Sequence, residues 1–294
     1  MGQDYNIEFS KGFTLIELLV TVALLGILAG GILMVLDIGG ILTKAKLTQA
    51  KKFSASIENS LAISQVGKWS FEDGVGATVF KDTSGYGNNG TLTGGATWKT
   101  SNECKLGFGG CLSFDGSDDY VLLPTGVFSS LSQGTISAWV FLQGTGVQGI
   151  VFDAEAATKK AFFEVENGKI HWGLDKNGPT CGYSGSWCPD AYGSSQLKNN
   201  VWHHIAVTVD GSGWRLYTNG VLDKFKNAAS EGNFLDDIVP VPIYKIGEGY
   251  GTARHFKGII DEVQIYKEAL TAYQIQNLYA QGLSKRLLSL RWLF

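Results

Sequence analysis

The chain has 294 residues and a formal charge of −3, a length that suits one large domain or two small ones. So slight a charge excludes the basic footprint of a nucleic-acid binder, or of a protein held on an anionic membrane surface by charge alone. Glycine (39), Phe (16), Tyr (11) and Trp (8) are plentiful and Pro (5) is scarce, a composition that favours short strands joined by tight turns.

The first predicted element is apolar. Residues 13–36 would span about 36 Å as a helix, enough to cross a bilayer with some tilt. From Leu18 to Leu36 there is no charged side chain, yet Glu17 sits just inside the start of the run. The stretch is longer than the apolar part of a cleavable secretory signal, about 7–15 residues. An ordinary single-span anchor leaves Glu17 unexplained, since a mid-helix acid costs about 2.5–3.5 kcal/mol.

The segment "KG" followed by "FTLIELLVTVALLGILA", residues 11–29, resembles the processing site and first helix of bacterial type IV prepilins and type II secretion pseudopilins. The resemblance implies that a prepilin peptidase removes residues 1–12 by cutting after Gly12. It further implies that Phe13 is N-methylated and that Glu17 is the acid at the family's fifth mature position. Glu17 would then lie one helical turn from a new cationic amine, and in a bundle it would face the amine of a neighbouring subunit. A buried charge is tolerable when paired in this way. Loss of Asp4, Glu8 and Lys11 takes the formal side-chain charge from −3 to −2.

From Thr43 the pattern turns polar. Leu47, Ala50, Phe53, Ile57 and Leu61 recur at helical spacing, which predicts a continuous or slightly broken helix over residues 13–65, with its second half laid on a globular domain. Glycines 26, 30, 31, 39 and 40 permit close helix approach or local melting, and glycine is also simply common in membrane helices.

From Gly67 the period changes to two. Ile136, Ala138, Val140 and Leu142 share one face, as do Ile205, Val207 and Val209, and Ile259, Val263 and Ile265. Asn167-Gly168 and Asn219-Gly220 fit two-residue type I′ hairpins. About twelve strands are expected, with no further helix until Thr271, a pattern of a sandwich or barrel.

The blocks "KDTSGYGNNGTLTG", "FGGCLSFDGSDDYVLLP", "ISAWVFL", "WHHIAVTVDGSGWRLYTNGVL" and "FKGIIDEVQIYKEALTAYQIQNLY" occur in that order. Together they resemble a laminin G-like, concanavalin A-like jelly-roll domain over residues 67–282. The expected fold is thus mainly β: a long N-terminal helix, partly transmembrane, followed by a jelly-roll sandwich. A basic, apolar tail of unassigned role, residues 283–294, closes the chain.

Four cysteines form two close pairs, Cys104/Cys111 and Cys181/Cys188. The spacing does not match the C-x₂-C pattern of zinc sites. Four cysteines allow three pairings, of which the local one is the simplest. In an exported domain each local bridge would contribute about 2.5 kcal/mol.

Candidate sites follow. Asp82, Asn88 and Asn89 offer oxygens on a glycine-shaped loop, and Asp261 has the strand parity of core residues. The resemblance implies a structural calcium ion joining the first and last strand regions, and hard oxygen donors suit that ion. The competing account is an Asx-turn at Asp82 and a hydrogen-bonded Asp261. Asp115, Asp118 and Asp119 read as turn formers. His203 and His204 are adjacent on a strand, face opposite sides and read as scaffold. Tyr183, Trp187 and Tyr192 fall in or beside a long segment around "CGYSGSWC". They could stack on sugar faces, or pack inward beneath a stapled insertion.

The expectation is a non-enzymatic, pilin-like subunit, a minor pilin or pseudopilin. It would insert in the inner membrane and join a pilus or pseudopilus with other subunits. Outside the cytoplasm it would display its jelly roll for adhesion or for binding carbohydrate or another surface. One alternative is a membrane-tethered lectin that does not polymerise. A glycoside hydrolase is the other, although there is no G-x-S-x-G, HExxH or P-loop motif.

Overall fold

The computed structural model describes residues 44–100, 103–104, 110–144, 147–156, 159–175, 190–227, 234–238, 242–249 and 254–290. The leader, Gly12, Phe13, Glu17 and the apolar run 13–36 lie outside these residues, as do Cys181, Tyr183, Trp187 and Cys188. Among the described residues no helix is long and apolar enough to cross a membrane.

Helix α1 (Lys44–Ser64) opens the described chain. There follow β1 (Gln65–Trp69), β2 (Val79–Phe80), β3 (Gly90–Thr93), β4 (Thr97–Lys99), β5 (Cys111–Asp115) and β6 (Tyr120–Leu123). The longer strands β7 (Gly134–Leu142), β8 (Val147–Ala156), β9 (Lys159–Glu166) and β10 (Lys169–Asp175) come next, then β11 (Asp190–Tyr192) and β12 (Trp202–Asp210). The last strands are β13 (Gly213–Thr218), β14 (Val221–Lys226), β15 (Ile243–Ile246) and β16 (Lys257–Tyr266), after which comes α2 (Ala272–Leu290).

The strands form two antiparallel sheets. One runs β14-β13-β12-β7-β16-β5-β4, with β1 also paired to β16; the other runs β11-β10-β9-β8-β15-β6-β3-β2. Between them lies one apolar core, which includes Trp69, Phe114, Ile136, Val140, Phe152, Phe163, Trp172, Val207, Trp214 and Tyr244. The structure is thus a mainly-β, two-sheet jelly-roll sandwich. It has sixteen strands among the described residues rather than about twelve, because β2, β4 and β11 are only two or three residues long. So short a strand shows no alternation in sequence.

Both Asn-Gly turns form as expected. Asn167 and Gly168 have φ of 51° and 75°, and Asn219 and Gly220 have 51° and 78°, which type I′ geometry requires. Leu270, Thr271, Gln274 and Ile275 start α2. The Thr271 Oγ1 accepts from Gln274 N at 3.3 Å, and Gln274 Oε1 accepts from Thr271 N at 2.8 Å. Leu270 and Ile275 both enter one apolar cluster, completing a capping box with a hydrophobic staple.

That cluster lies on the outer face of the first sheet, where Leu61, Ala206, Tyr217, Tyr266 and Leu278 join it. The indole of Trp139 stacks on Tyr279 of α2 at 5.6 Å. Of the stripe on α1, the side chains described are Phe53, Ile57 and Leu61. Leu61 is buried and Ile57 packs beside the cluster, whereas Phe53 is 54% exposed and touches Tyr273 at 5.4 Å. Helix α2 continues across the expected domain end at residue 282 and takes in the first part of the basic, apolar tail.

One strand breaks its expected parity. A bulge interrupts the β16–β7 ladder between Asp261 and Gln264, and Glu262 has φ of 49°. Val263 and Ile265 face the core, but Ile259 belongs to an outer cluster with Cys104, Cys111 and Phe141. Asp261 pairs with Trp139 and so shares the helix-covered face, contrary to the core-facing direction its parity gave. One extra residue shifts every side chain before it to the other face.

Candidate functional site

The outer face of the second sheet carries the densest chemistry. It is built by the β9–β10 hairpin, in which the Asn167-Gly168 turn fixes Glu166 opposite Lys169, Glu164 opposite His171 and Phe162 opposite Gly173. Ala161, Phe163, Val165, Ile170, Trp172 and Leu174 fill the core. The alternate residues Phe162, Glu164, Glu166, His171 and Asp175 therefore face outward. Strand β11 pairs Tyr192 with His171, and β8 pairs Asp153 with Phe162, so both join this face.

His171 is the centre of the group. Its Nδ1 lies 2.7 Å from Glu164 Oε1 and 3.6 Å from Glu166 Oε2, and its Nε2 lies 3.5 Å from Asp190 Oδ2. The last distance is an ion-pair contact longer than a formed hydrogen bond. Tyr192 stacks on the imidazole at 3.8 Å and donates its hydroxyl to Glu166 Oε2 at 2.5 Å. Phe162 meets the same ring edge-on at 5.1 Å. Gly173 makes room for that phenyl, since a Cβ there would lie 2.1 Å from Phe162 Cζ.

Although this face is outward, much of it is dry. Glu164 and Asp153 are 0% exposed and His171 only 3%. Arg254 reaches across from a bridged segment, in which Glu248 pairs with His255, and donates to both oxygens of Glu164. Burial opposes a charged His171, but Asp190 and Glu164 outweigh it and hold the imidazole above its ordinary value. The contact with His171 holds the Asp190 carboxyl down. Burial and the Glu166 carboxylate push the Tyr192 phenol up. Among the described residues neither oxygen of Asp153 has a hydrogen-bond partner, and burial raises its carboxyl well above the usual range.

Of the residues singled out from sequence, Tyr192 falls in this cluster. Glu164, Glu166, His171, Asp153 and Arg254 were not foreseen. The period-2 alternation in "FFEVENGKIHWGLD" together with its Asn-Gly turn places Glu164 beside His171, so this part was there to be found.

The structure brings Asp82, Asn88 and Asn89 together at β1. Asp82 Oδ1 accepts from Lys68 N and Ser84 N, and Oδ2 from Asn88 N, each at 2.9 Å. Asn89 Oδ1 accepts from Asp82 N at 2.9 Å. The side-chain oxygens of Asp82 and Asn89 thus accept from backbone N–H groups, while the Asn88 amide donates to Val66 O at 2.9 Å. Asp261, buried on the far side of β16, accepts from Glu262 N at 2.8 Å. Asp82, Asn88 and Asn89 thus share one loop, while Asp261 lies on the helix-covered face of β16.

Asp119 is a turn former, accepting from Gly95 N and Asp115 N at 2.6 and 2.7 Å. His203 Nε2 accepts from Lys198 N at 3.1 Å, and His204 packs on Trp139 at 5.5 Å, so both serve the scaffold. Cys104 and Cys111 form a disulfide, with Cα atoms 5.9 Å apart.

Residues 115–276, more than half of the chain, match the family profile of the concanavalin A-like lectin/glucanases superfamily. The chain belongs to that superfamily. Residues 9–33 match the prokaryotic N-terminal methylation motif. This concanavalin A-like domain is also similar to solved structures. One is domain 4 of AbnA, a GH43 extracellular arabinanase from Geobacillus stearothermophilus in complex with arabinotriose. It is 22% identical with a TM-score of 0.57, over 74% of this chain and 98% of that one. A second is the binding domain of Paraclostridial Mosquitocidal Protein 1, 20% identical with a TM-score of 0.55, over 74% and 52%. A third is a botulinum neurotoxin type C structure, 14% identical with a TM-score of 0.56, over 76% and 52%; that toxin's uptake is described as dependent on two ganglioside molecules. At these identities the likeness establishes fold alone.

Among curated proteins, the Sushi, von Willebrand factor type A, EGF and pentraxin domain-containing protein 1 of Rattus norvegicus is 28% identical over 88 residues, 28% of this chain. The match spans only 2% of that protein's length.

Proposed function

We propose that the chain is a type IV pilin-like subunit that carries a non-catalytic, ligand-binding jelly roll outside the cytoplasm. The observation that carries this reading is the join between its parts. A methylation motif at residues 9–33 precedes a helix that runs into β1 of a concanavalin A-like sandwich, with Ser64 and Gln65 consecutive. A prepilin peptidase would cut after Gly12 in the inner membrane, and Phe13 and Glu17 would then enter a bundle with other pilin or pseudopilin subunits.

The outer face of the second sheet is the proposed binding surface for carbohydrate or a related surface ligand. Support comes from Tyr192, 41% exposed and backed by His171, which offers a flat apolar ring beside Glu166 and Asp190. The structural relatives in complex with arabinotriose, or dependent on gangliosides, agree with that class of ligand.

The test is mass spectrometry of the protein from native cells, followed by electron microscopy of cells carrying Glu17→Gln. A chain that begins at methylated Phe13, and filaments that lose the subunit in the variant, are expected. An intact Met1, or normal incorporation of the variant, would overturn the reading. A glycan array with the detergent-purified chain, wild type against Tyr192→Ala, reads the binding surface separately.

A further inference from the structure

The acids and the imidazole on the second sheet have the geometry of a ligand set. We propose that Glu164, Glu166 and His171 hold a divalent first-row transition ion of the zinc class, on the sheet face that also carries the buried carboxyl of Asp153. The two carboxylates and Nδ1 each offer one donor atom, and these atoms all lie within 4.8 Å of one another. Two ligands on a tetrahedral zinc ion, with bonds of about 2.0–2.2 Å, stand about 3.4 Å apart. The Nδ1–Glu166 separation of 3.6 Å is already close to this, and the Nδ1–Glu164 contact of 2.7 Å has only to open slightly.

Each donor is held from behind. Nδ1 donates to the Glu164 carboxylate, and Asp190 faces the far nitrogen of His171, where it would favour the Nε2 proton once Nδ1 takes up metal. Tyr192 donates to Glu166, and Arg254 donates to Glu164. An outer ring of this kind orients ligands and raises the basicity of a metal-bound imidazole. One nitrogen with two carboxylates suits zinc and its neighbours better than calcium or magnesium, which prefer oxygen alone.

A separate observation asks for a cation here. Asp153 is 0% exposed, projects from β8 beside Phe162, and has neither oxygen hydrogen-bonded among the described residues. Lys245 and Lys160 act on it only through space. A dication bound on this face would favour the ionised form of that buried carboxyl. On binding, His171 gives its Nδ1 proton to solvent and the ion takes that lone pair. The site belongs to the head domain alone, so its success or failure is independent of the filament reading.

The experiment uses tag-free full-length protein in detergent, stripped with EDTA and titrated calorimetrically with ZnCl₂ and with CaCl₂ at pH 7.5. Two buffers of different ionisation enthalpy report proton release. One zinc ion per chain with micromolar affinity or better is expected, with proton release and without competition from calcium. Affinity should fall at least tenfold in His171→Ala and in Glu166→Gln. Glu166 lies at the edge of the cluster, so the second variant is chosen to keep the fold. Cobalt substitution reads the ligand geometry directly, through d–d absorption of the wild type. Absence of stoichiometric zinc uptake, or uptake unchanged in both variants, would overturn the proposal.

Discussion

The ring of Tyr192 lies flat on the imidazole of His171, 3.8 Å between centroids and 9° from parallel. The contact ties the three-residue edge strand β11 to β10 by side chains as well as by backbone. Tyr192→Phe keeps the stack and loses the Glu166 bond, whereas Tyr192→Ala loses both. Denaturant unfolding should show a loss of about 0.5–1.5 kcal/mol for Phe. The alanine variant should lose a further 0.5–1.5 kcal/mol. Equal losses in the two variants would show that the stack contributes nothing.

Gly173 has no tolerance for a side chain. An alanine Cβ would meet the Phe162 ring at 2.1 Å, and that ring braces His171. Gly173→Ala should cost about 1–3 kcal/mol, as overpacking does, and should remove zinc uptake along with it. The comparison variant is Gly211→Ala, where a Cβ would meet nothing within 4 Å. Thermal melts of the pair separate a local clash from a general intolerance of substitution.

Asp153 gives a pH dependence of definite sign. Its folded-state carboxyl is raised well above the ordinary value by burial. The unfolded chain therefore ionises first, and in metal-free protein this residue opposes folding increasingly as pH climbs from the unfolded value through the folded one. Asp153→Asn removes the effect. Its Tm should exceed that of the wild type by a margin that widens between pH 5 and pH 9. A constant margin would mean that the carboxyl does not titrate in this range.

The Asp82 loop should be indifferent to chelation. Three backbone N–H groups converge on its carboxylate and tie β1 to the loop. Asp82→Ala should cost about 1–3 kcal/mol through orphaned donors. EDTA should leave the melting temperature unchanged when the zinc site is empty. A drop that calcium restores would show that an ion displaces those donors.

Reduction of Cys104–Cys111 closes the series. The bridge spans a short loop beneath Trp202, whose Nε1 donates to Cys104 O at 3.0 Å. Cys104→Ser with Cys111→Ser should lower unfolding free energy by about 2.5 kcal/mol. Guanidinium titration measures it.

Much of this was legible in the chain. Alternation gave the cores of β7 and β12, and Asn167-Gly168 and Asn219-Gly220 gave two hairpins whose dihedrals agree. The return of helix expected from Thr271 is α2, which Thr271 caps. The bulge at Glu262 was not legible, because nothing in "IIDEVQIY" distinguishes an extra residue from a continuous strand. It reversed the expected direction of Asp261 for that reason. Nor could Arg254 be placed over Glu164 from local pattern, since 90 residues separate them and only the sheet brings them together. Tyr192 was visible as an aromatic, but its partner His171 became visible only through the pairing of β10 with β11.

Helix α1 passes into β1 with no intervening loop, and β1 lies antiparallel along β16 from Gln65 opposite Tyr266 to Trp69 opposite Val263. The Lys267 N–H also donates to Ser64 O at 2.8 Å, just at that join. Tension applied through the helix therefore loads these bonds lengthwise and together, as in a lap joint, rather than peeling them one after another. A head hung from such a stem would resist being torn away by flow, whatever its outer face holds.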